Sequence, residues 1–258
     1  MEDKVRLGGM ALSNGVLVHG PTAWACAVRL PNGELKVVAE KKRTRASEIN
    51  QPLLRGPARL AEMLMLIPRL KRLVPEAKLP FERPAVLATM LGGAVAVRAV
   101  RGSRLPSLAR ELVAGLASLA PAALSLRGSG LAAYHGAEHI SIGSYEHGER
   151  REKEHERCGS HLVGPLIATT AVGNVLAGLV APHRQPLARA VAGFGAVAAS
   201  TEIFSWMTRN PGHPVAQALA KPGHELQHRL ATEEPTPAQL EVAEAALAAC
   251  LALEHDAH

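Results

Sequence analysis

The sequence is poor in aromatic residues, which make up 3% of its 258 positions although 47% of the positions are hydrophobic. Alanine, leucine and valine must therefore supply most of the buried surface. A β-sandwich usually needs more aromatic and β-branched side chains than this chain has. The composition thus argues against a mainly β architecture and favours an alanine-rich helical protein.

Cysteine is scarce as well. Cys26, Cys158 and Cys250 are odd in number, far apart and in no C-x-x-C pair, so they do not indicate a disulfide framework. We expect a reducing compartment. Residues 1–9 lack the apolar core and the cleavage site of a signal peptide, and we expect none there.

Four long apolar stretches lie in the middle of the chain. A membrane-spanning helix needs about 20 mostly apolar residues, and the stretch 162–181 meets this requirement without a charged residue. The stretch 186–207 is a second good candidate, whereas 84–100 is short and 106–126 contains charges and a proline. We predict a mainly α-helical protein of about four spans in a bacterial inner membrane, with the lipid bilayer as a partner. A soluble protein with buried helices is the alternative.

The remaining segments predict a small N-terminal sheet and two further helices. Residues 8–40 show strand and turn patterns, and Asn32-Gly33 favours a hairpin whose turn places both residues at positive φ. Residues 52–73 are amphipathic until Pro68, which we expect to interrupt the helix. This helix either lies on the membrane surface or covers the sheet. Thr-Pro-Ala-Gln at 236–239 is a helix start.

An even number of spans would bring all the polar segments to one side of the membrane, and we expect both termini to be cytoplasmic. The net charge is +6, and 15 of the 29 Lys and Arg residues lie within residues 1–83. This basic region marks either the cytoplasmic side or a docking surface for an acidic or RNA-containing partner. We expect no dinucleotide cofactor.

The sequence divides into six predicted segments. They are a glycine-rich β unit (1–51), a basic amphipathic helical segment (52–83), a first apolar helical pair (84–126), a His/Glu/Cys motif segment (127–160), a second apolar pair (161–207) and a polar helical tail (208–258).

The sharpest local pattern is Tyr134-His135-Gly136-Ala137-Glu138-His139. On a helix, the two histidines lie on one face because they are four residues apart, and Glu138 shares that face. The order H-x-x-E-H is that of the inverted zincins, in which the histidines hold zinc and the glutamate acts as general base. The spacing alone does not choose the metal.

A metal site needs a third ligand, and Glu146, His155 and Cys158 are the candidates nearby. A thiolate beside imidazoles would favour zinc. Glu202 is a further candidate functional residue, because it is an ionisable group within an apolar stretch. The alternative is that His135 and Glu138 only cap a helix beside the membrane and that Cys158 is a small buried hydrophobic residue.

Over most of its length the chain resembles the YqhQ family of bacterial membrane proteins, which are described as predicted metal-dependent enzymes of undetermined function. The resemblance is carried by the motif at 134–139, by Tyr145-Glu146, by His155-x-Arg157-Cys158-Gly159 and by the glycine-rich block Gly8–Pro21. It implies a multi-pass membrane location. Within the block the chain departs from the family, since Met10, Asn14 and His19 stand where the family has Gln, Glu and Arg. If the block supplies a carboxylate to the site, Asn14 cannot replace its charge.

Together these patterns predict a divalent metal, with zinc favoured, bound by His135, His139 and one or two of Glu146, His155 and Cys158. Glu138 is the predicted general base, and hydrolysis is the predicted reaction class. Tyr134, Tyr145, Arg157, Glu202 and Asn14 are further candidates for the site. The competing hypothesis is a non-enzymatic membrane scaffold or biogenesis factor with at most a structural metal.

Overall fold

The computed structural model describes residues 4–127 and 130–256, so that residues 1–3, 128, 129, 257 and 258 of the predicted segments lie outside it. A four-stranded antiparallel sheet is followed by a mainly helical chain, which confirms the predicted fold class. The strands are β1 (Gly8–Leu12), β2 (Gly15–His19), β3 (Ala23–Arg29) and β4 (Leu35–Lys41). The helices are α1 (Arg55–Leu73), α2 (Pro84–Arg101), α3 (Ser107–Ala117), α4 (Ala120–Leu126), α5 (Leu131–His147), α6 (Val163–Ala177), α7 (Gln185–Arg209), α8 (Pro214–Leu226) and α9 (Pro237–His255).

The strands follow one another in the sheet in chain order, each antiparallel to its neighbours. The predicted hairpin around Asn32-Gly33 is present between β3 and β4. Its predicted turn type was wrong, because only Gly33 has a positive φ, +87°. The Leu30 N–H donates to the Glu34 carbonyl at 2.8 Å, and the Gly33 N–H to the Leu30 carbonyl at 2.9 Å. A tight turn over residues 30–33 therefore closes the loop. Gly33, in the left-handed conformation, then directs the chain into β4.

Helices cover both faces of the sheet. Alternate residues of a strand point to opposite faces, and Leu17 and Trp24 pack against Leu70 of α1 on one face. On the other face, Val16 packs among residues of α5 and α9, including Val242 of α9. Both faces of this small sheet are therefore buried, which leaves its two edges as the open sides.

Helix α1 runs to Leu73 and passes through Pro68, so the expected interruption at that proline was wrong. Proline removes one backbone hydrogen bond, but Leu66 and Leu70 on either side of it are buried against the sheet. This packing keeps the helix continuous. Helix α1 covers the sheet, which was one of its two predicted placements. Leu64, on the outer side of the helix, is 57% exposed.

Four segments are long and apolar enough to span a membrane: 84–101, 107–126, 159–177 and 182–209. Many of their outward side chains are large and apolar, and Leu91 and Leu187 are each more than 70% exposed. Water would make such surfaces unfavourable, whereas acyl chains suit them. The chain is therefore a membrane protein with four candidate spans.

The connections between paired spans gather at the end of the bundle away from the sheet. Arg101 at the end of α2, Glu111 near the start of α3 and Asn174 near the end of α6 meet there, with Arg101 Nε 3.1 Å and Asn174 Nδ2 2.9 Å from Glu111 Oε2. At the opposite end, Arg55 of α1 pairs with Glu202 of α7. The sheet and α5 thus lie at one end of the four apolar helices.

Candidate metal centre

Helix α5 supplies the two histidines and the glutamate of the sequence motif. Glycines in the left-handed region bound it, Gly130 before it (φ +69°) and Gly148 after it (φ +77°). Because the helix lies under the sheet, most of its residues are buried whatever their polarity. The helical spacing brings the rings of His135 and His139 to 4.3 Å between centroids.

Cys158 completes a group of three metal-binding side chains. It lies in the loop between α5 and α6, and its Sγ is 3.5 Å from His135 Nε2. One ligand atom each from His135, His139 and Cys158 lies within 4.8 Å of the other two. Within the described residues, this is the one group of three or more His, Cys, Asp and Glu side chains so arranged. The group could hold a metal ion.

Two backbone carbonyls orient the imidazoles. His135 Nδ1 is 2.8 Å from the Ala231 carbonyl oxygen, and His139 Nδ1 is 2.6 Å from that of Lys153. A carbonyl oxygen only accepts, so each Nδ1 carries the proton and each Nε2 keeps a free lone pair. Metal-binding histidines in proteins are held in this way.

The Ala231 carbonyl owes its position to an irregular stretch of backbone. Residues Gln227–Ala231 form a single π-helical turn directly after α8. Such turns are rare and occur most often at functional sites. Here the turn ends at Ala231, whose carbonyl oxygen accepts from His135, and the Glu233 N–H that follows donates to Ala132 at the start of α5.

Glu138 lies beside the three ligands and is buried. Burial raises the pKa of its carboxyl to about 7, and nearby Cys158 adds to the increase while His135 opposes it. Among the described residues no side chain or backbone group hydrogen-bonds to this carboxylate. Gly9 of β1 packs directly against it, and a Cβ at that position would overlap the Glu138 side chain.

His155 and Glu146, the other proposed ligands, are bonded to each other instead. The Arg157 N–H donates to His155 Nδ1 at 3.2 Å, so the proton is on Nε2, which donates to Glu146 at 3.2 Å. Glu146 also forms an ion pair with the Arg157 side chain. Both nitrogens of His155 are therefore occupied, and this trio supports the loop that carries Cys158. Its direct role in metal binding stays a prediction.

The two tyrosines of the sequence motifs have structural contacts: Tyr134 packs in the core, and Tyr145 hydrogen-bonds to the N-terminal segment. Tyr134 is buried between the sheet and α9. The hydroxyl of Tyr145 accepts from the Val5 N–H at 3.1 Å, and Lys4 Nζ donates to the Tyr145 carbonyl at 2.6 Å. Neither side chain reaches the three ligands.

Glu202 and Asn14 lie away from the cluster. The Glu202 carboxylate pairs with Arg55 and accepts from the Leu53 N–H at 3.2 Å, and so it fastens α1 to α7. Asn14 Nδ2 donates to the Glu76 carbonyl at 3.1 Å, and its Oδ1 accepts from the Lys78 N–H at 2.9 Å. Asn14 ties the first hairpin to the segment before α2.

Sequence reasoning missed a buried polar group behind β1. Lys42 belongs to the exposed-looking basic run, yet its side chain is 2% exposed and pairs with Glu62 of α1 at 2.7 Å. Lys42 Nζ also lies 3.2 Å from His19 Nδ1, and burial lowers the pKa of His19 to about 4. The apolar neighbours of Glu62 on α1 were the only available signal.

A cavity of about 470 Å³ joins these parts. Residues 7–11 line it together with His135, Glu138, His139 and Cys158. Met63 and Leu126 add apolar surface, and His19 lies at one side. The candidate centre is therefore reached from this cavity.

Residues 130–253 match a family model described as a protein of unknown function, DUF1385. This stretch, 124 of the 258 residues, is similar to the DUF1385 family. This finding confirms the prediction of an uncharacterised family, while the YqhQ name stays a prediction. The matched stretch contains His135, His139, Cys158 and Glu138, whereas β1 lies outside it. No curated protein and no solved structure matches the chain.

Proposed function

We propose that the chain is a metal-dependent hydrolase of the inner membrane whose active site is formed by His135, His139, Cys158 and Glu138. The observation that carries the proposal is the approach of three ligand atoms to within 4.8 Å beside a buried carboxylate without a hydrogen-bond partner in the described chain. Structural metal sites are closed by four protein ligands, whereas catalytic sites use three and leave one position open. A set of three with an adjacent cavity supports catalysis.

The donor set suits zinc. Two imidazole Nε2 atoms with free lone pairs and one cysteine sulfur are typical zinc ligands. When bound, zinc would supply Lewis-acid polarisation of a substrate carbonyl and of water. The His135 and His139 carbonyl contacts would hold the ligand atoms in place during this chemistry.

Glu138 is the proposed general base. It lies beside the three ligands and faces the cavity, so it would take a proton from the attacking water and pass it to the leaving group. Gly9 covers one side of its carboxylate and limits the entry of bulk water. Arg157, Glu146 and His155 would hold the loop of Cys158 in position.

The distribution of basic residues supports a cytoplasmic site. The connections 102–106 and 178–184 contain one arginine each, with Arg98 and Arg101 in the helical turn before the first of them, while the segments 69–83 and 127–157 contain five Lys and Arg residues each. Basic residues are retained on the cytoplasmic side. The sheet, α5 and both termini would then be cytoplasmic, which thiol labelling of single cysteines introduced at Ser103 and Ser47 can test.

The same basic surface supports a separate proposal for a partner. Lys41, Arg43 and Arg45 are exposed at the end of β4. They would attract an acidic or RNA-containing partner at the membrane surface. Two observations would support docking: such a partner retains the chain in a salt-dependent manner, and the retention is lost when these three residues are neutralised.

The first test is elemental analysis of detergent-purified protein together with hydrolysis of p-nitrophenyl acetate. We expect about one equivalent of zinc in the wild type and none in the His135→Ala/His139→Ala variant. Glu138→Gln should keep the metal and lose hydrolysis. Glu149→Gln, a change at an exposed carboxylate just after α5, is the control. Metal-free wild type, or hydrolysis that survives in Glu138→Gln, would overturn the proposal.

A further inference from the structure

The first strand of the sheet has a free edge beside the candidate centre. β1 pairs with β2 on one side, and within the described residues no strand lies on its other side. β2, β3 and β4 continue the sheet away from the cavity. An unpaired strand edge offers a row of N–H and C=O groups that can bind another strand.

The hairpin register shows which peptide groups of β1 face outward. The loop between β1 and β2 has two residues, so Leu12 and Gly15 close it as a hydrogen-bonded pair. Bonded and non-bonded pairs then alternate, which directs the peptide groups of Met10 and Gly8 toward β2. Those of Gly9 and Ala11 point to the open edge. Neither has a hydrogen-bond partner among the described residues.

This open edge forms a wall of the cavity that contains the ligands. Residues 7–11 line the same cavity as His135, His139 and Cys158. The outward groups of Gly9 and Ala11 are two residues apart, about 7 Å along the strand. An extended polypeptide presents donors and acceptors at the same repeat, whereas a lipid chain presents none.

Two features of β1 suit the approach of a peptide. Gly8 and Gly9 have no side chains that would obstruct the edge, and a Cβ at either position would collide with the His19 ring or with Glu138. Farther along the cavity, Met10, Met63, Leu126 and Leu131 provide apolar surface. Leu126 ends the second candidate span, so this surface lies at the membrane end of the cavity.

We propose that the substrate is a polypeptide segment in extended conformation that pairs with the free edge of β1 and is cleaved at the carbonyl placed beside His135, His139 and Cys158. This inference rests on the proposed hydrolase function and specifies its substrate class. Addition of strands to an exposed sheet edge is a common mode of peptide recognition.

The reaction would be the hydrolysis of one peptide bond. Water would add through oxygen to the carbonyl carbon, with its proton accepted by Glu138. The carbon–nitrogen bond would then break, and the departing nitrogen would take the proton from Glu138. The products are a carboxylic acid and an amine, and the reaction needs no other reactant.

The test removes one outward N–H from each edge of the sheet. Ala11→Pro removes the donor that faces the cavity and spares the β1–β2 ladder, since proline is tolerated at outward positions of edge strands. Val37→Pro is the matched control on β4, where the Leu30–Glu34 hydrogen bond sets the register and directs the Val37 N–H outward.

The probe is a pool of fluorescein-labelled ten-residue peptides of small and apolar residues, offered to full-length zinc-loaded protein in detergent. Binding is measured by anisotropy on the Glu138→Gln background, and cleavage on the wild-type background. We expect Ala11→Pro to weaken binding and to lower kcat/KM for peptide cleavage by at least tenfold, with zinc content unchanged. Val37→Pro should match the wild type. N-methylation of every second nitrogen of the probe peptide should abolish binding when the methylated nitrogens are those that face β1, and not when they are the ones in between.

Three results would overturn the inference. Peptide cleavage that is equal in Ala11→Pro and wild type would exclude pairing with β1. Glu138-dependent hydrolysis of p-nitrophenyl acetate or of phospholipid esters in mixed micelles, without peptide cleavage, would exclude the substrate class but keep the hydrolase. Absence of any Glu138-dependent hydrolysis would remove the proposed function and the inference with it.

Discussion

The Gln227 side chain and the His155 backbone hydrogen-bond to each other through both ends of the amide. Gln227 Oε1 accepts from the His155 N–H at 2.8 Å, and Nε2 donates to the His155 carbonyl at 3.2 Å. The same Nε2 donates to Ser160 Oγ at 2.8 Å. Gln227 is fully buried, so these bonds fix the loop that carries Cys158 from a position 69 residues farther along the chain.

Replacing Gln227 by leucine should weaken metal binding without unfolding the protein. The change leaves the buried His155 N–H without a partner, which costs about 1–3 kcal/mol, while the His155 carbonyl keeps only the Cys158 N–H at 3.2 Å. The loop is therefore held more loosely. Loss of such supporting contacts lowers metal affinity by about 10- to 100-fold. Zinc titration against a competing chelator measures this affinity. Gln217→Leu on the exposed surface of α8 is the control, and equal affinities in both variants would contradict the proposed role.

Gly9→Ala should destabilise the protein and displace the Glu138 side chain. A methyl group there overlaps the Glu138 side chain, and such overpacking costs about 1–3 kcal/mol. Urea unfolding in detergent, followed by circular dichroism, gives the free energy of unfolding. Gly92→Ala in α2 is a matched control, because a Cβ at Gly92 meets no atom within 4 Å. A Gly9→Ala protein as stable as wild type would show that β1 can move away from α5.

Lys42→Met should be among the most damaging single changes outside the candidate centre. It leaves the Glu62 carboxylate buried without its cation, for which the expected loss is about 3–5 kcal/mol. Arg45→Met breaks the exposed pair with Glu48, whose side chains are 59% and 67% exposed, and should cost no more than about 1 kcal/mol. Thermal unfolding of the two variants side by side measures the difference. Similar melting temperatures would mean that solvent reaches the Lys42 pair.

The half-buried His19 should make the fold sensitive to acid. The pKa of His19 is lowered to about 4 in the folded chain, against about 6.5 when unfolded. Between these values the unfolded chain binds the extra proton, so stability present above pH 6.5 is lost as the pH falls toward 4. Between pH 7 and pH 5 the loss attributable to His19 is about 2 kcal/mol.

The His19→Gln variant isolates this contribution. Both proteins are unfolded with urea at pH 7 and pH 5 in metal-free buffer, and the change in unfolding free energy is compared. The wild type should lose about 2 kcal/mol more than His19→Gln over this interval. Equal losses in the two proteins would mean that His19 is protonated within the folded state.

Local patterns in the sequence were sufficient for much of the fold. Four apolar stretches predicted the four candidate spans, and the turn residues predicted the sheet. The start of α9 was also predicted from Thr236 and Gln239, whose side chains and backbones bond reciprocally. These features depend on neighbours within a few residues, which a sequence displays directly. The passage of α1 through Pro68 was missed, because distant packing against the sheet decides it.

The centre was only partly predictable for the same reason. Helical spacing placed His135, Glu138 and His139 together, but it could not choose among Glu146, His155 and Cys158. That choice depends on the loop of Cys158, which Gln227 and Arg157 shape by contacts across the chain. The carbonyl groups of Lys153 and Ala231 carry no sequence signal, since every residue has one.

The position of α9 over the sheet determines when this protein can finish folding. The strands are synthesised before α9, but the face formed by Val16, Val18 and Ala25 is covered by this helix, Pro237–His255. Until the ribosome has released that helix, the sheet remains half covered and its strand edges can pair with other chains. The four apolar helices must enter the bilayer during this interval. Biogenesis of this chain therefore requires that its N-terminal hairpins be protected while the membrane part is inserted.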